Sequence, residues 1–348
     1  MIIREVEKPF FKELFRVSQK SPAESPGKHF DFSADIKIVG SGKGAIAAIL
    51  KYLMTKKVIK NKLDEVLMAD WIGNWVYNQV QSFAFPTKKF SERTKVIMVY
   101  HQYGFPQDMN KIMAFALEKK LVVIEDCAHA LDSYYQGKKL GSFSDFSIYS
   151  FSKWFSCFAL GGVRSNFEDF NFFVEGLMNE TPFGLTLFKD FAKFLYEKST
   201  FSRKLFFKKY ASLLLEMSYA IYGDAIKTSQ MARRLLKSKI ENEINVRRKR
   251  YRYFWDQTKD LGIADYLEKE GVTPYVIPVI CHQGIADKLV QKFKERGVIS
   301  GIYQFDIKRN LLNPEFMPCV WLPCHSSISD KDFSDLIYLT VKTLKNQL

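Results

Sequence analysis

A carboxylate, an imidazole, an amine and a glycine-rich turn carry the chemistry this sequence offers. Asp126 closes the apolar run LVVIED, His129 follows three residues later, and Lys153 ends FSIYSFSK. A carboxylate at the carboxyl edge of an open α/β sheet, where such folds place their ligands, can hold a positively charged group. An amine flanked by Phe151, Trp154 and Phe155 is partly desolvated, which lowers its pKa and favours attack on an aldehyde. Ser150 and Ser152 set hydroxyls beside it. Upstream, Ser41, Gly42, Lys43 and Gly44 stand between a strand candidate and a helix candidate. Backbone amides at a helix start, helped by a hydroxyl and an ammonium, make an anion site. The GSGKGA spacing is not that of a nucleotide P-loop.

Those groups suit pyridoxal phosphate (PLP). Lys153 would form the Schiff base, and a carboxylate at Asp126 would keep the pyridine nitrogen protonated so that the ring accepts electrons. His129 is placed to touch the ring oxygen, and residues 41–44 to take the phosphate. Singly, each residue has a plainer reading: a capping aspartate, a satisfied structural histidine, a lysine on a solvated turn. The aromatic setting of Lys153 and the following Gly161 and Gly162 argue against the plain reading of the lysine.

Positioning these groups requires a sheet. From about residue 36 to 165, short β-rich runs (IKIVG, DEVLMA, KVIMVY, LVVIED, FSIYSF) alternate with helical stretches, the pattern of a mainly parallel sheet covered by helices. In DMNKIMAFALEKK, Asp108 is expected to cap a helix whose apolar face is Ile112, Met113, Phe115, Ala116 and Leu117. Residues 166–229, rich in Phe, Leu, Tyr and Lys, read as two or three amphipathic helices with apolar faces packed on the body or on a second subunit, ahead of docking on an anionic membrane. A long basic helix over residues 229–257 leads to a small α/β unit, and Ser329 caps its last helix. The division expected is an irregular lead-in over residues 1–35, a large α/β domain over 36–228 that includes the aromatic helical stretch 180–228, and a small C-terminal domain over 229–348.

With 348 residues, two domains are the starting expectation, and 47% hydrophobic residues supply ample core. The five cysteines are scattered and show no two-residue spacing of the zinc type, so no metal is expected. The cysteines, the charged start MIIREVEKPFF and the lack of a 20-residue apolar run point to a cytoplasmic protein, at most peripheral to a membrane. A formal charge of +14 attracts anions without choosing among them. No recognition motif or basic aromatic array favours nucleic acid.

On these residues the chain resembles the DegT/DnrJ/StrS sugar aminotransferases, PLP enzymes of fold type I. The resemblance rests on the Ser41 segment, DEVLMADW, YHQYGFPQDMNKIMAFALEKKLVVIEDCAHAL, GKKLGSFSDFSIYSFSK, VTPYVIPV and LPCHSSIS. It implies that Asp126 pairs with the pyridine nitrogen, His129 stands near the ring, Lys153 forms the internal aldimine, and Ser41, Gly42 and Ser150 hold the phosphate. Trp71 is the first choice to stack on the ring and Trp75 the second. Three positions separate Ser150 from Lys153 where the family usually has five, as in a shortened branch with a brief SLPK-like turn, and FALGG lacks the family's glutamate before the paired glycines.

The resemblance also implies the reaction: an amine passes from an amino acid, glutamate first among them, to a nucleotide-linked keto-sugar in surface polysaccharide, lipopolysaccharide or deoxyaminosugar biosynthesis. Lys153 shuttles the proton. Family members that dehydrate their substrate carry histidine at the lysine position, so Lys153 argues for amine transfer. A homodimer is expected, with the active site at its interface. The alternatives are a PLP reaction on a non-sugar substrate, and a non-catalytic member that binds a sugar nucleotide or a membrane partner.

Overall fold

The computed structural model describes residues 2–7, 36–202 and 204–345. The lead-in expected over residues 1–35 therefore lies largely outside the described residues. Residues 2–7 lie against the C-terminal part of the chain, where Ile3 bridges to Val298.

The elements run β1 (Lys37–Val39), α1 (Gly42–Thr55), β2 (Glu65–Leu67), α2 (Asn74–Gln81), β3 (Phe85–Thr87), β4 (Thr94–Tyr100), α3 (Met109–Lys119), β5 (Val122–Asp126), β6 (Phe146–Ser150) and β7 (Gly161–Ser165). They build one seven-stranded sheet in the order β1-β7-β6-β5-β4-β2-β3. Strands β3, β2, β4, β5 and β6 are mutually parallel, whereas β7 runs antiparallel to β6 and β1. Parallel neighbours need covered crossovers, so β4 and β5 are Val, Ile and Met runs buried on both faces.

All five expected strands are present; β3 and β7 are additional. β3 contains Pro86, tolerated because the strand is at the sheet edge. β7 opens with the two glycines, which mask a strand signal. A Cβ on Gly161 would overlap the backbone of Ser41 and Gly42, so only glycine lets β7 pass this close to that turn.

Asp108 caps α3 as expected, accepting a hydrogen bond from the Lys111 amide at 3.2 Å. Ile112 and Ala116 are buried and Met113 and Phe115 half-buried, but Leu117 is 82% exposed, since it falls one position past the stripe that meets the sheet.

Residues 166–229 hold three helices, α4 (Glu168–Glu180), α5 (Phe183–Thr200) and α6 (Leu205–Ile221). The last two form a hairpin with apolar stripes on its outer side. Phe183, Leu187 and Phe191 on α5, and Phe206, Tyr210, Leu213 and Met217 on α6, face outward and are exposed, so these stripes do not pack on the body of the protein. Lys189, Asp190, Lys193 and Glu197 of α5 face inward. None of the helices, over the described residues, is long and apolar enough to cross a membrane.

The basic helix is α7 (Gln230–Thr258), capped by Ser229, which accepts a hydrogen bond from the Ala232 amide at 3.2 Å. It is followed by β8 (Ile277–Ile280), α8 (Gln283–Glu295), β9 (Ile302–Asp306), β10 (Phe316–Leu322) and α9 (Asp330–Lys345), with Ser329 accepting from the Asp332 amide at 3.0 Å. The three strands form an antiparallel sheet in the order β8-β10-β9. One apolar core runs from Ile97, Val99 and Val123 of the large sheet through Leu236, Ile240 and Ile244 of α7 to Val279, Phe305 and Val320 of the small one.

Candidate active site

The parallel register of β4, β5 and β6 aligns Tyr100 with Asp126 and Asp126 with Ile148 at the carboxyl edge of the sheet. β6 then breaks into a single turn, Phe151–Lys153, held by the burial of Phe151, Trp154 and Phe155. Asp126, Lys153, Ser150, Ser41, Gly42 and Lys43 all line one cleft, with a free volume of about 800 Å³. The carboxylate-bearing and amine-bearing residues thus line the same space.

Asp126 is buried, and one carboxyl oxygen accepts the Ala128 amide at 3.0 Å. Burial pushes its pKa up, against the opposing pull of Lys153 and the Ala128 amide. A cationic N–H donor in the cleft would bring it back toward the ionised state. For Lys153 the order is the same with opposite sign: desolvation lowers its pKa and the charge of Asp126 resists. A lysine so placed keeps a larger share of free amine near neutral pH than a solvated one.

His129 lies behind Lys153, its Nε2 3.0 Å from the Lys153 Nζ and its Nδ1 2.6 Å from the Tyr100 hydroxyl. Its ring stacks on Tyr275 at 4.2 Å between centroids. Burial, and then the charges of Lys153 and Arg247, hold its pKa well below the usual range, so the imidazole is neutral and accepts from the lysine ammonium. His129 therefore orients the amine.

Two fasteners fix the lysine turn. The Trp154 indole donates to the Ala128 carbonyl at 3.0 Å, tying the turn to the loop after Asp126. Arg247 of α7, fully buried, donates to the Trp154 carbonyl at 2.9 Å and to the Tyr275 carbonyl, and is neutralised by Glu243 at 2.6 Å. Glu125, beside Asp126 but on the opposite face of β5, accepts the amides of Gly141, Phe143 and Ser144 and so fixes the approach to β6. It also lies in the one cluster among the described residues, with His101 and Cys127, whose donor atoms are close enough for a metal ion. Both of its oxygens are already occupied by these amides and by His101, so the cluster is a hydrogen-bond knot.

At the other end of the cleft, the Ser41 hydroxyl caps α1 by accepting the Gly44 amide at 2.9 Å. The Gly42 and Lys43 amides of the first turn have no intrahelical partner. A Cβ on Gly42 would lie 3.1 Å from the Ser150 Cβ, so the Ser150 hydroxyl abuts the same helix start. This is a cradle with the chemistry of a phosphate site. The donor set fits PLP at its three polar corners: an acid for the ring nitrogen, an amine for the aldehyde, amides and hydroxyls for the phosphate.

Three sequence expectations are revised. Trp71 does not line this cleft; the turn before α2 swings it to the small sheet, where it meets Phe316 edge-on at 6.4 Å in a separate depression. Trp75 does line it, but its ring is met by the Lys43 ammonium, 4.3 Å from the centroid. Lys43 itself reaches away from the helix start to the rings of Trp75 and Tyr219, 3.8 Å from the latter, and burial pushes its pKa down to about 8. Arg247, Tyr275, Lys193 and Tyr219 carry no sequence signal that marks them for this site. Polar and apolar stripes on α5 are visible in the sequence, but not which of them turns toward the sheet.

Residues 39–164 match the DegT/DnrJ/EryC1/StrS aminotransferase family profile. Over 64 residues the chain is 48% identical to GDP-perosamine synthase of Escherichia coli O157:H7, a stretch that is 18% of this chain and 18% of that relative. The similarity thus spans under a fifth of the length of the curated relatives it matches. Among solved structures, the PLP form of the putative sugar aminotransferase Spr1654 from Streptococcus pneumoniae superposes with a TM-score of 0.62 at 16% identity, over 99% of this chain and 93% of that one. Helicobacter pylori PseC, an aminotransferase involved in the biosynthesis of pseudoaminic acid, gives 0.60 at 14% identity, over 89% and 87%. Residues 39–164 are thus similar to the DegT/DnrJ/EryC1/StrS aminotransferase family, and the chain as a whole has the fold of these solved aminotransferases.

Proposed function

We propose that this protein is a PLP-dependent aminotransferase that moves an amine from an amino acid, glutamate first among them, to a nucleotide-linked keto-sugar. The observation that carries the reading is the placement of Asp126 and Lys153 on one cleft at the carboxyl edge of the sheet, with the Ser41 cradle at its other end. The names of the relatives point to nucleotide sugars as the substrate class. Bound PLP supplies an aldehyde that takes up the amine and a ring that accepts the electrons released at the substrate carbon.

The protein's own residues do the rest. Asp126 holds the ring nitrogen in its protonated state, and the burial that raises its pKa in isolation strengthens that pairing once a cation is present. Lys153 is the base and acid that moves a proton at the substrate carbon, helped by a pKa already lowered by burial. His129, neutral and stacked on Tyr275, directs the lysine. Ser41, Gly42 and Ser150 hold the phosphate.

The family resemblance implies a homodimer, and the outward stripe of Phe183, Leu187, Phe191, Phe206, Tyr210, Leu213 and Met217 is the surface we assign to the second copy. The experiment is a coupled assay with purified protein, PLP, glutamate and a nucleotide-linked 4-keto or 3-keto sugar. Formation of 2-oxoglutarate that depends on the keto-sugar supports the reading. Reduction of PLP to pyridoxamine phosphate by glutamate, with no keto-sugar accepted, would leave an aminotransferase of a different substrate class.

A further inference from the structure

The cleft holds more positive charge than the cofactor corners use. Lys43 comes from the first turn of α1 and Lys193 from α5, and both side chains line the cleft beside Tyr219 of α6. Lys43 makes no ion pair among the described residues; its ammonium is held against the rings of Trp75 and Tyr219, with Tyr222 farther off at 5.9 Å. Lys193 pairs with Glu197 at 3.1 Å, but Glu197 also accepts the Ser156 hydroxyl at 2.8 Å, so its charge is shared. An ammonium has three donors, and Glu197 occupies one of those on Lys193.

The inverted orientation of α5 is what brings Lys193 there. Its stripe of Phe183, Leu187 and Phe191 is left outside, and a polar stripe is turned in. Lys189, one turn earlier, donates to the carbonyls of Gly40 at 2.7 Å and Ala159 at 3.3 Å, pinning α5 to the loop before Ser41 and to the loop after Lys153. A helix bolted to both edges of the cleft, at the cost of burying Lys189 and half-burying Lys193, is a wall of the site and not a surface ornament.

We propose that Lys43 and Lys193 form a second oxyanion subsite, built partly by the α5–α6 hairpin, which takes the anionic group of the substrate and not the phosphate of the cofactor. Cofactor phosphate is already served by the uncapped amides of α1 and the hydroxyls of Ser41 and Ser150. The Lys43 ammonium lies over Tyr219, in the cleft that Lys193 also lines, so that both lysines face the space a substrate phosphate or carboxylate would enter. This inference rests on the PLP reading of the cleft. The low desolvated pKa of Lys43 and the strongly paired state of Lys193 are consistent with it, because an anion would satisfy the first without displacing the second.

The test compares wild type with Lys193→Met, Lys193→Arg and the double variant Lys193→Met/Glu197→Gln, which leaves no unpaired carboxylate. Cofactor affinity is read from the visible absorbance on titration with PLP. Affinity for inorganic pyrophosphate, for inorganic phosphate and for glutamate is read by calorimetry on the PLP-loaded protein. Loss of a charge-assisted contact should weaken the substrate-side anion roughly 10- to 100-fold, with the PLP titration unchanged and Lys193→Arg largely restored. Weakening of pyrophosphate assigns the subsite to a phosphate group; weakening of glutamate alone assigns it to the donor carboxylate. The inference is overturned if PLP binding falls in step with the probes, or if none of the probes changes in variants whose melting temperature is preserved. Failure of wild type to develop a visible band would instead overturn the PLP reading itself.

Discussion

At the scale of single residues, Lys153 and Asp126 modify each other through a shared low-dielectric space. Burial pushes the lysine down and the carboxyl up, and each resists the shift in the other. Replacing Lys153 with alanine removes both the amine and the proton carrier, so turnover should fall by about 100- to 10,000-fold or more in an assay of amine transfer. Asp126→Asn keeps the shape and the Ala128 hydrogen bond but removes the charge, and should lower kcat while leaving the melting temperature nearly unchanged. These two residues were legible in the sequence because Asp126 ends a strand and Lys153 ends the short turn that follows one. Trp71 was not, since which tryptophan of a short loop faces the cleft depends on the backbone of the turn before α2. The place of Lys43 was half legible: a helix-start lysine was visible, but not the aromatic rings that draw its side chain away from the cradle.

At the scale of elements, α7 reaches from the small sheet to the lysine turn, and Arg247 is the contact that matters. Arg247→Met would strand Glu243 in the interior and release the Trp154 carbonyl. Breaking a buried pair from one side costs about 3–5 kcal/mol, measurable by urea unfolding, and kcat should fall with it. Lys153→Ala, by contrast, should cost activity without that loss of stability. The hairpin of α5 and α6 makes its own prediction. Leu187→Glu with Phe191→Glu should shift the protein from dimer to monomer in light scattering if a second copy covers this stripe, and leave the mass unchanged if none does. Strands β1, β2, β4, β5 and β6 could be read from apolar runs. β7 could not, because Gly161 answers to a close approach to Ser41, over 100 positions away, and Gly162 to the side chains of Ile36 and Phe151. The inward polar face of α5 was hidden for a related reason, as periodicity fixes stripes but not which one meets the core.

At the scale of the whole molecule, the small sheet and the start of the chain meet around a histidine. His325 is buried against Arg247, Glu243 and Arg250, with the Arg4 carbonyl 2.9 Å from its Nε2 and the Ser327 hydroxyl 2.9 Å from Nδ1. Desolvation first, and then the charge of Arg247, push its pKa down to about 4. The unfolded chain, with an ordinary imidazole, therefore binds the proton first on acidification, and stability is lost as pH falls from about 6.5 to about 4. The loss from this one group is on the order of 3 kcal/mol; melting temperature across that range should fall in wild type and fall less in a His325→Asn variant. His129, also held low by burial, acts in the same direction.

Of the three amines in the cleft, on Lys43, Lys153 and Lys193, only that of Lys153 is placed to carry the cofactor. Incubation with PLP, reduction with borohydride, digestion and mass spectrometry would locate it. The pyridoxyl mass is expected on Lys153, with no such label in Asp126→Ala at limiting PLP. Label on Lys43 or Lys193 in place of Lys153, or none at saturating PLP, would contradict it.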